Sequence, residues 1–173
     1  MELRFVAPEL RLLDALESEV LACAVWSDER PAEGVAGLCD FRLAGTISHL
    51  FRTGFLSGER GEVLLLPGRP KLGFAKVLLF GAGPRASFDE GVFLEVLRRM
   101  LRAIDDLAAR IAVVELPGRT ADLVPAERAA DALLEAAGRG HEHSVWTLVE
   151  DAAARARITQ HTIEQRRRIR RAP

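Results

Sequence analysis

The sequence lacks the features that would assign it to a membrane, secreted or disulfide-bonded class. It has only two cysteines in 173 residues, Cys23 and Cys39, and their apolar neighbours indicate buried free thiols. No apolar run approaches the roughly 18 residues that a membrane-spanning helix requires. Glu2 stands where a secretory signal would carry positive charge, and Glu9 and Arg11 interrupt the apolar stretch that would follow. We therefore expect a cytoplasmic protein.

The sequence also has no group of residues with the spacing of a catalytic centre, and no internal repeat. His141 and His143, on either side of Glu142, could share a metal ion on an extended strand, but no third ligand is evident. A polar loop is the preferred interpretation there. His49 and His161 have no serine or cysteine partner that would suggest nucleophilic catalysis. We therefore predict no metal site and no cofactor.

Positive charge is scarce outside the C-terminal end. The net charge is −1, but residues 155–173 carry seven arginines against Glu164, so residues 1–154 are acidic with a net charge of −7. An acidic body argues against broad binding to a phosphate backbone. We divide the chain accordingly into a domain at 1–154 and an arginine-rich C-terminal helix or tail at 155–173.

The arginines of the C-terminal end could contact nucleic acid or an acidic partner surface. They are Arg166, Arg167, Arg168, Arg170 and Arg171. The alternative is a solvated, frayed helix end, where arginine also favours the negative end of the helix dipole. No aromatic residues are interleaved to stack on bases, so a nucleic-acid partner is not favoured.

Two short apolar runs, Val63–Leu66 and Val77–Phe80, form the centre of the predicted fold. Each is bounded by Gly or Pro and is too short for a free-standing helix. Apolar runs without alternation are typical of strands that are covered on both faces. We therefore predict that both lie inside a sheet with helices above and below it.

The rest of the chain alternates between strand and helix patterns. Further strands are predicted at Leu3–Ala7, Val20–Trp26, Ile111–Leu116 and Val145–Val149, and helices at Gly34–Thr53, from Ser87 to about Ala109, Pro125–Ala137 and Glu150–Arg170. Pro8–Leu16 is predicted as a brief helix or a turn. This order predicts an α/β protein, a three-layer α/β/α sandwich around a mixed sheet of about six strands. A chain of this length, 49% apolar and 28% charged, suits one such domain.

A loop of small residues, Gly81, Ala82 and Gly83, follows the second central strand and precedes a helix. Ligands of open α/β sheets bind at such places, because backbone N–H groups and a helix N-terminus face the crevice. Ser87 stands three residues before Glu90, which is the pattern of a capping box. The loop is a candidate ligand site with Ser87 beside it; the alternative is a tight structural turn, since Pro84 removes one donor.

Residues 45–66, GTISHLFRTGFLSGERGEVLLL, resemble the N-terminal domain of the leucyl (cytosol) aminopeptidase family. The matching positions are Gly45, Ile47, Ser48, Leu50, Gly54, Gly58, Gly61 and Leu64–Leu66. The similarity continues through Lys76–Gly83 and extends more weakly over about residues 1–160. The resemblance implies a macro-domain-like fold without catalytic residues, because the family's two-metal centre belongs to a separate C-terminal domain whose signature is not found in this sequence.

Three functions follow as hypotheses. The first is a non-catalytic accessory domain that acts by protein–protein contact or as a homo-oligomer, since the resemblance implies an enzyme that assembles as a hexamer. The second is binding of a nucleotide or ADP-ribose at Gly81–Gly83, which related macro folds suggest. The third is one part of a metalloaminopeptidase that a separate catalytic chain completes.

Overall fold

The computed structural model describes residues 2–137 and 144–171. One six-stranded sheet, in the order β1-β6-β5-β2-β4-β3, forms the middle layer. Its strands are β1 (Glu2–Val6), β2 (Ser18–Val25), β3 (Val63–Pro67), β4 (Phe74–Gly81), β5 (Ile111–Val114) and β6 (Val145–Val149). All neighbouring strands are parallel except β3 and β4, which are antiparallel, so the predicted mixed sheet is confirmed.

Helices cover both faces of this sheet, as the alternation of strands and helices predicts. They are α1 (Leu10–Asp14), α2 (Gly34–Arg42), α3 (Thr46–Thr53), α4 (Glu90–Asp106), α5 (Ala126–Ala137) and α6 (Ala152–Arg171). The first three pack on one face, α4 and α5 pack on the other, and α6 packs against α5 through Ala154 and Ile158. No helix in the described part of the chain has the length and apolar character that crossing a membrane needs.

The prediction that both central apolar runs lie inside the sheet is correct for β4 and wrong for β3. β4 lies between β2 and β3 and is buried along most of its length, whereas β3 is an edge strand that, in the part of the chain the structure describes, pairs with β4 alone. Alternate side chains of β3 face outward, and Val63 and Leu65 are 42% and 46% exposed. An unbroken apolar run cannot distinguish a buried strand from an edge strand with one uncovered apolar face.

The predicted helix over Gly34–Thr53 is two helices, α2 and α3. The chain turns between them at Ala44 and Gly45, which both have positive φ values. The carboxylate of Asp40 accepts hydrogen bonds from the N–H groups of Ile47 (2.7 Å) and Ser48 (3.1 Å), so a side chain of α2 caps the N-terminus of α3. The apolar spacing stays helical across this break, which is why the periodicity alone missed it.

The N-terminus of α4 also differs from the prediction. Asp89 is its N-cap, and its carboxylate accepts a hydrogen bond from Val92 N–H at 2.9 Å. Ser87 lies before it in a short 3₁₀ turn, and its hydroxyl donates to the carbonyl of Pro84 at 3.0 Å. Ser87 and Asp89 are two candidate N-caps that lie two residues apart in the sequence. The carboxylate of Asp89, not the hydroxyl of Ser87, caps the helix.

Candidate functional site

The parallel strands bring five loops to one end of the sheet. Their carboxyl ends point the same way, so the segments after β1, β6, β5, β2 and β4 meet at a common crevice. Ligands of open α/β sheets bind in this place. It is the candidate functional site, and its chemistry depends on which groups face the crevice.

The predicted Gly81–Gly83 loop lies at this crevice, but its donors are already used within the fold. The N–H groups of Gly81, Ala82 and Gly83 donate to the carbonyls of Glu62, Val25 and Gly58, each at 2.9 Å. All three loop residues are buried. The loop therefore presents no unused backbone donor to a phosphate, and ligand binding there stays a prediction. Ser87 is exposed beyond it, and its carbonyl accepts from the guanidinium of Arg60 at 2.8 Å.

The turn over residues 57–62 packs directly on this loop. A Cβ on Gly81 would lie 1.9 Å from the carbonyl oxygen of Glu59, and one on Gly58 would lie 2.6 Å from the backbone of Trp26. Gly58 also has φ +78°, a left-handed conformation that favours glycine. The carboxylate of Glu62 holds the turn by accepting from the N–H groups of Ser57 and Gly58. Gly58 and Gly81 thus allow close approach of backbone to backbone.

An arginine closes the crevice over the end of β2. The guanidinium of Arg85 forms ion pairs with Glu29 and with Glu33, the latter at 3.2 Å. The backbone N–H of Arg85 donates to the carboxylate of Asp28 at 3.0 Å. Behind it remains a cavity of about 10 Å³, between Trp26 and Glu115, which is room for about one water molecule. Sequence reasoning missed this group because its charges come from two loops about 55 residues apart.

Glu115, the residue after β5, is a buried carboxyl at the crevice. It accepts hydrogen bonds from the hydroxyl of Thr120 and from the N–H of Val35, the latter at 3.3 Å, in the first turn of α2. Burial raises its pKa to about 7, and the charge of Glu150 adds to the rise, while the two hydrogen bonds oppose it. A single charged residue at the end of the apolar run IAVVEL is the sequence signal that could have found it.

Arg119 and Glu150 form a buried bidentate ion pair beside Glu115. The guanidinium donates from Nε at 2.8 Å and from Nη2 at 3.0 Å to the two carboxylate oxygens. It also bonds to the carboxylate of Asp122 at 2.8 Å and to the carbonyl of Val124. A pocket of about 290 Å³ opens next to this pair. Because the guanidinium donates to groups of the protein itself, the ion pair links the end of β6 to the loop after β5.

The other sequence candidates lie away from the crevice. His161 contacts Asp131 on α5 at 2.8 Å, and His49 is exposed on α3. Arg167 is exposed on α6, which is helical to Arg171. The side chains of Arg166, Arg168, Arg170 and Arg171 lie outside the described part, as do His141, Glu142 and His143, so their predicted roles stay predictions.

The two cysteines are buried and free, as predicted. Burial raises the pKa of the Cys39 thiol to about 12 and that of Cys23 in the same direction. Neither is therefore an activated nucleophile. Within residues 2–137 and 144–171, no three His, Cys, Asp or Glu side chains converge as a set that could hold a metal ion.

Comparison with known proteins places the chain in a family. Residues 21–143 match the model of the cytosol aminopeptidase family, N-terminal domain. A probable cytosol aminopeptidase of Halorhodospira halophila is 34% identical over 98 residues, which is 56% of this chain and 20% of that protein. The match therefore spans about a fifth of the relative's length.

Solved structures share the fold at low sequence identity. A mutant of tomato leucine aminopeptidase has a TM-score of 0.64 at 15% identity and covers 94% of this chain, with 35% of its own chain matched. The macrodomain of Oceanobacillus iheyensis with ADP has a TM-score of 0.71 at 13% identity, with 96% and 92% covered. These likenesses confirm the macro-domain-like α/β fold, and the family match shows that the chain belongs to the cytosol aminopeptidase family through its N-terminal domain.

Proposed function

We propose that the protein is a non-catalytic domain that acts through protein–protein contact. The family model it matches describes an N-terminal domain, and residues 21–143 account for that match. The curated relatives are named cytosol aminopeptidases, which supports a place in the cytoplasm. In this proposal the chain supplies a folded surface, and peptide hydrolysis is not its own activity.

One observation carries the proposal: the chain fills its own crevice at the Gly81–Gly83 loop and over the end of β2. A pocket of about 290 Å³ remains beside the Arg119–Glu150 pair, and neither this loop nor Arg85 lines it. The turn over residues 57–62 covers the Gly81–Gly83 loop, and Arg85 with its acidic partners covers the end of β2. Cavity volume at the centre is about 10 Å³, whereas ligand pockets have volumes of roughly 300–1,000 Å³. A site closed by ion pairs and backbone contacts favours a structural role for this part of the sheet end.

The test is an assay for hydrolysis of leucine p-nitroanilide by the pure protein with Mn²⁺ or Zn²⁺ present. We expect no turnover above the metal-only background. A curated aminopeptidase of the family, assayed in parallel, is the positive control. Metal-dependent turnover that co-purifies with the protein would overturn the proposal.

A second candidate is binding of a nucleotide or ADP-ribose at the Gly81–Gly83 loop. It is favoured by the similarity to a macrodomain solved with ADP. In this chain the turn over residues 57–62 would have to move away, because it bonds to all but one of the loop's donors. Titration calorimetry with ADP-ribose tests it, and absence of heat at millimolar ligand rejects it.

The third hypothesis, a metalloaminopeptidase completed by a separate chain, predicts a specific partner. The matched relatives are about five times longer than the match, so their remaining length is the kind of chain that would complete it. Mixing the protein with a purified C-terminal domain of such a relative, and measuring hydrolysis, tests this hypothesis. Equal activity with and without the protein would reject it.

A further inference from the structure

The outer edge of β3 carries unpaired backbone groups. Among the described residues, β3 pairs only with β4. Glu62 and Gly68, just outside the two ends of β3, also bond to β4: Gly81 N–H donates to the Glu62 carbonyl at 2.9 Å, and Gly68 N–H donates to the Ala75 carbonyl at 3.2 Å. Bonded residues alternate along an antiparallel strand. Leu64 and Leu66 therefore also bond toward β4, and the N–H and C=O groups of Val63 and Leu65 point away from the sheet.

The side chains of the same two residues form an apolar strip on one face of this edge. Val63 and Leu65 lie opposite Phe80 and Leu78 of β4, on the side that α4 covers further in, yet they are 42% and 46% exposed. The strand VLLLP carries no charge, and Pro67 ends its row of donors. An apolar edge with free N–H and C=O groups is a template for pairing with another strand.

The charges that flank β3 indicate which strand fits. Before the strand, Glu59, Arg60 and Glu62 together carry a net charge of −1, and Glu59 and Arg60 are exposed. After the strand, exposed Arg69 and Lys71 carry a net charge of +2. A second β3 in antiparallel orientation brings the acidic end of one copy beside the basic end of the other. Parallel pairing would bring like charges together, and pairing with the β1 edge would set Glu2 and Arg4 against apolar side chains.

We propose that β3 of one copy pairs antiparallel with β3 of a second copy across a two-fold axis, which joins two six-stranded sheets into one. Since the outward groups belong to Val63 and Leu65, the register that uses all of them places Val63 of one copy opposite Leu65 of the other. This register forms four backbone hydrogen bonds, and a two-fold axis makes the contact self-limiting. The inference rests on the proposed function, protein–protein contact, and identifies the partner as a second copy of this chain.

Sedimentation velocity over a wide range of protein concentration tests the pairing, with Leu65→Lys as the disrupting variant. We expect a dimer in the wild type, and a dissociation constant at least about tenfold higher in the variant, because a lysine replaces an apolar contact at each pair. Leu134→Lys is the matched control, since Leu134 is 40% exposed on α5. It should dimerise as the wild type does.

The double variant Val63→Glu with Leu65→Lys tests the register. In the proposed alignment each new glutamate faces a new lysine of the other copy, so the double variant should recover most of the dimer that Leu65→Lys loses. Failure to recover, with both variants folded by circular dichroism, overturns this register.

Amide hydrogen exchange on the wild type supplies a readout that does not depend on any variant. Exchange at Val63 and Leu65 should slow as protein concentration rises, and exchange at Leu3 and Phe5 of β1 should not change. A monomer at every concentration, or an oligomer whose β3 amides stay unprotected, overturns the pairing. Neither result bears on peptide hydrolysis, so the non-catalytic proposal stands or falls separately on the hydrolysis assay.

Discussion

The two edges of the sheet are built differently. At the β1 edge, Glu2 and Arg4 are exposed and form an ion pair at 2.8 Å, so the edge strand carries two charges within three residues. At the β3 edge, five consecutive residues carry no charge and two of them expose apolar side chains. Charged edge strands resist pairing with other chains. The contrast indicates that one edge is protected from association and the other is left open to it.

The difference continues inward from each edge. On the β1 side, the buried Arg119–Glu150 pair fastens β6 to the loop after β5. On the β3 side, close backbone contacts do the same work: a Cβ on Gly68 would meet the carbonyl of Phe74 at 2.3 Å, and one on Gly81 would meet the carbonyl of Glu59. The β1 half of the sheet is thus stabilised by a buried ion pair, and the β3 half by close backbone contacts that glycine residues allow.

The largest effect is expected on the charged side, from Arg119→Met. The substitution leaves the buried carboxylate of Glu150 without its partner, which typically costs about 3–5 kcal/mol. Urea denaturation at neutral pH measures the loss. Glu2→Gln is the control, because its ion pair with Arg4 is exposed to solvent and its loss should change stability far less. Equal losses in the two variants would contradict the contrast between the buried and the exposed pair.

Glu115, between the two halves, gives stability a dependence on pH. Its pKa is about 7 in the fold against an ordinary 4.5, so the folded protein holds this proton more tightly than the unfolded chain does. Stability should therefore fall as pH rises from 4.5 to 7 and change no further above that. The total is roughly 3 kcal/mol.

Glu115→Gln removes this dependence, because the amide stays neutral at every pH. The variant should be more stable than the wild type at pH 8 and about as stable at pH 5, by urea denaturation at each pH. Glu33→Gln, at an exposed carboxyl of the same crevice, serves as the control. A wild-type profile that is flat between these pH values would show that Glu115 stays ionised in the fold.

On the side that depends on close contacts, Gly81→Ala should cost about 2 kcal/mol, since the new methyl group meets backbone that must shift. Gly45→Ala is the control: its Cβ meets nothing within 4 Å, so only its positive φ is strained. Urea denaturation of both variants separates the cost of the steric contact at Gly81 from the cost of the strained backbone conformation at Gly45. A smaller loss at Gly81 than at Gly45 would show that the turn over residues 57–62 yields easily.

The sequence predicts the layers and six strands of this fold well, because short apolar runs between Gly and Pro leave few alternatives. It fails where the outcome depends on what lies beside an element. The residue types of Val63–Leu66 do not show that this strand lies at the edge of the sheet. The break between α2 and α3 depends on the side chain of Asp40, which caps α3 from outside that helix. The candidate site at Gly81–Gly83 was located by its place at a strand end, but the atoms that fill it come from residues 57–62.

Arg4→Val is expected to have the smallest effect on folding. It tests most directly whether charge protects the β1 edge from association. The side chain of Arg4 is exposed, so the free energy of unfolding should change very little. Association should change more. A dimer joined through β3 presents two β1 edges outward, and removing the charge from each would let dimers add to one another. Light scattering should then show species larger than a dimer for Arg4→Val, and none for Arg98→Val, which removes an exposed arginine from α4. If Arg4→Val stays a dimer, the charge of Arg4 is not what protects the β1 edge from association.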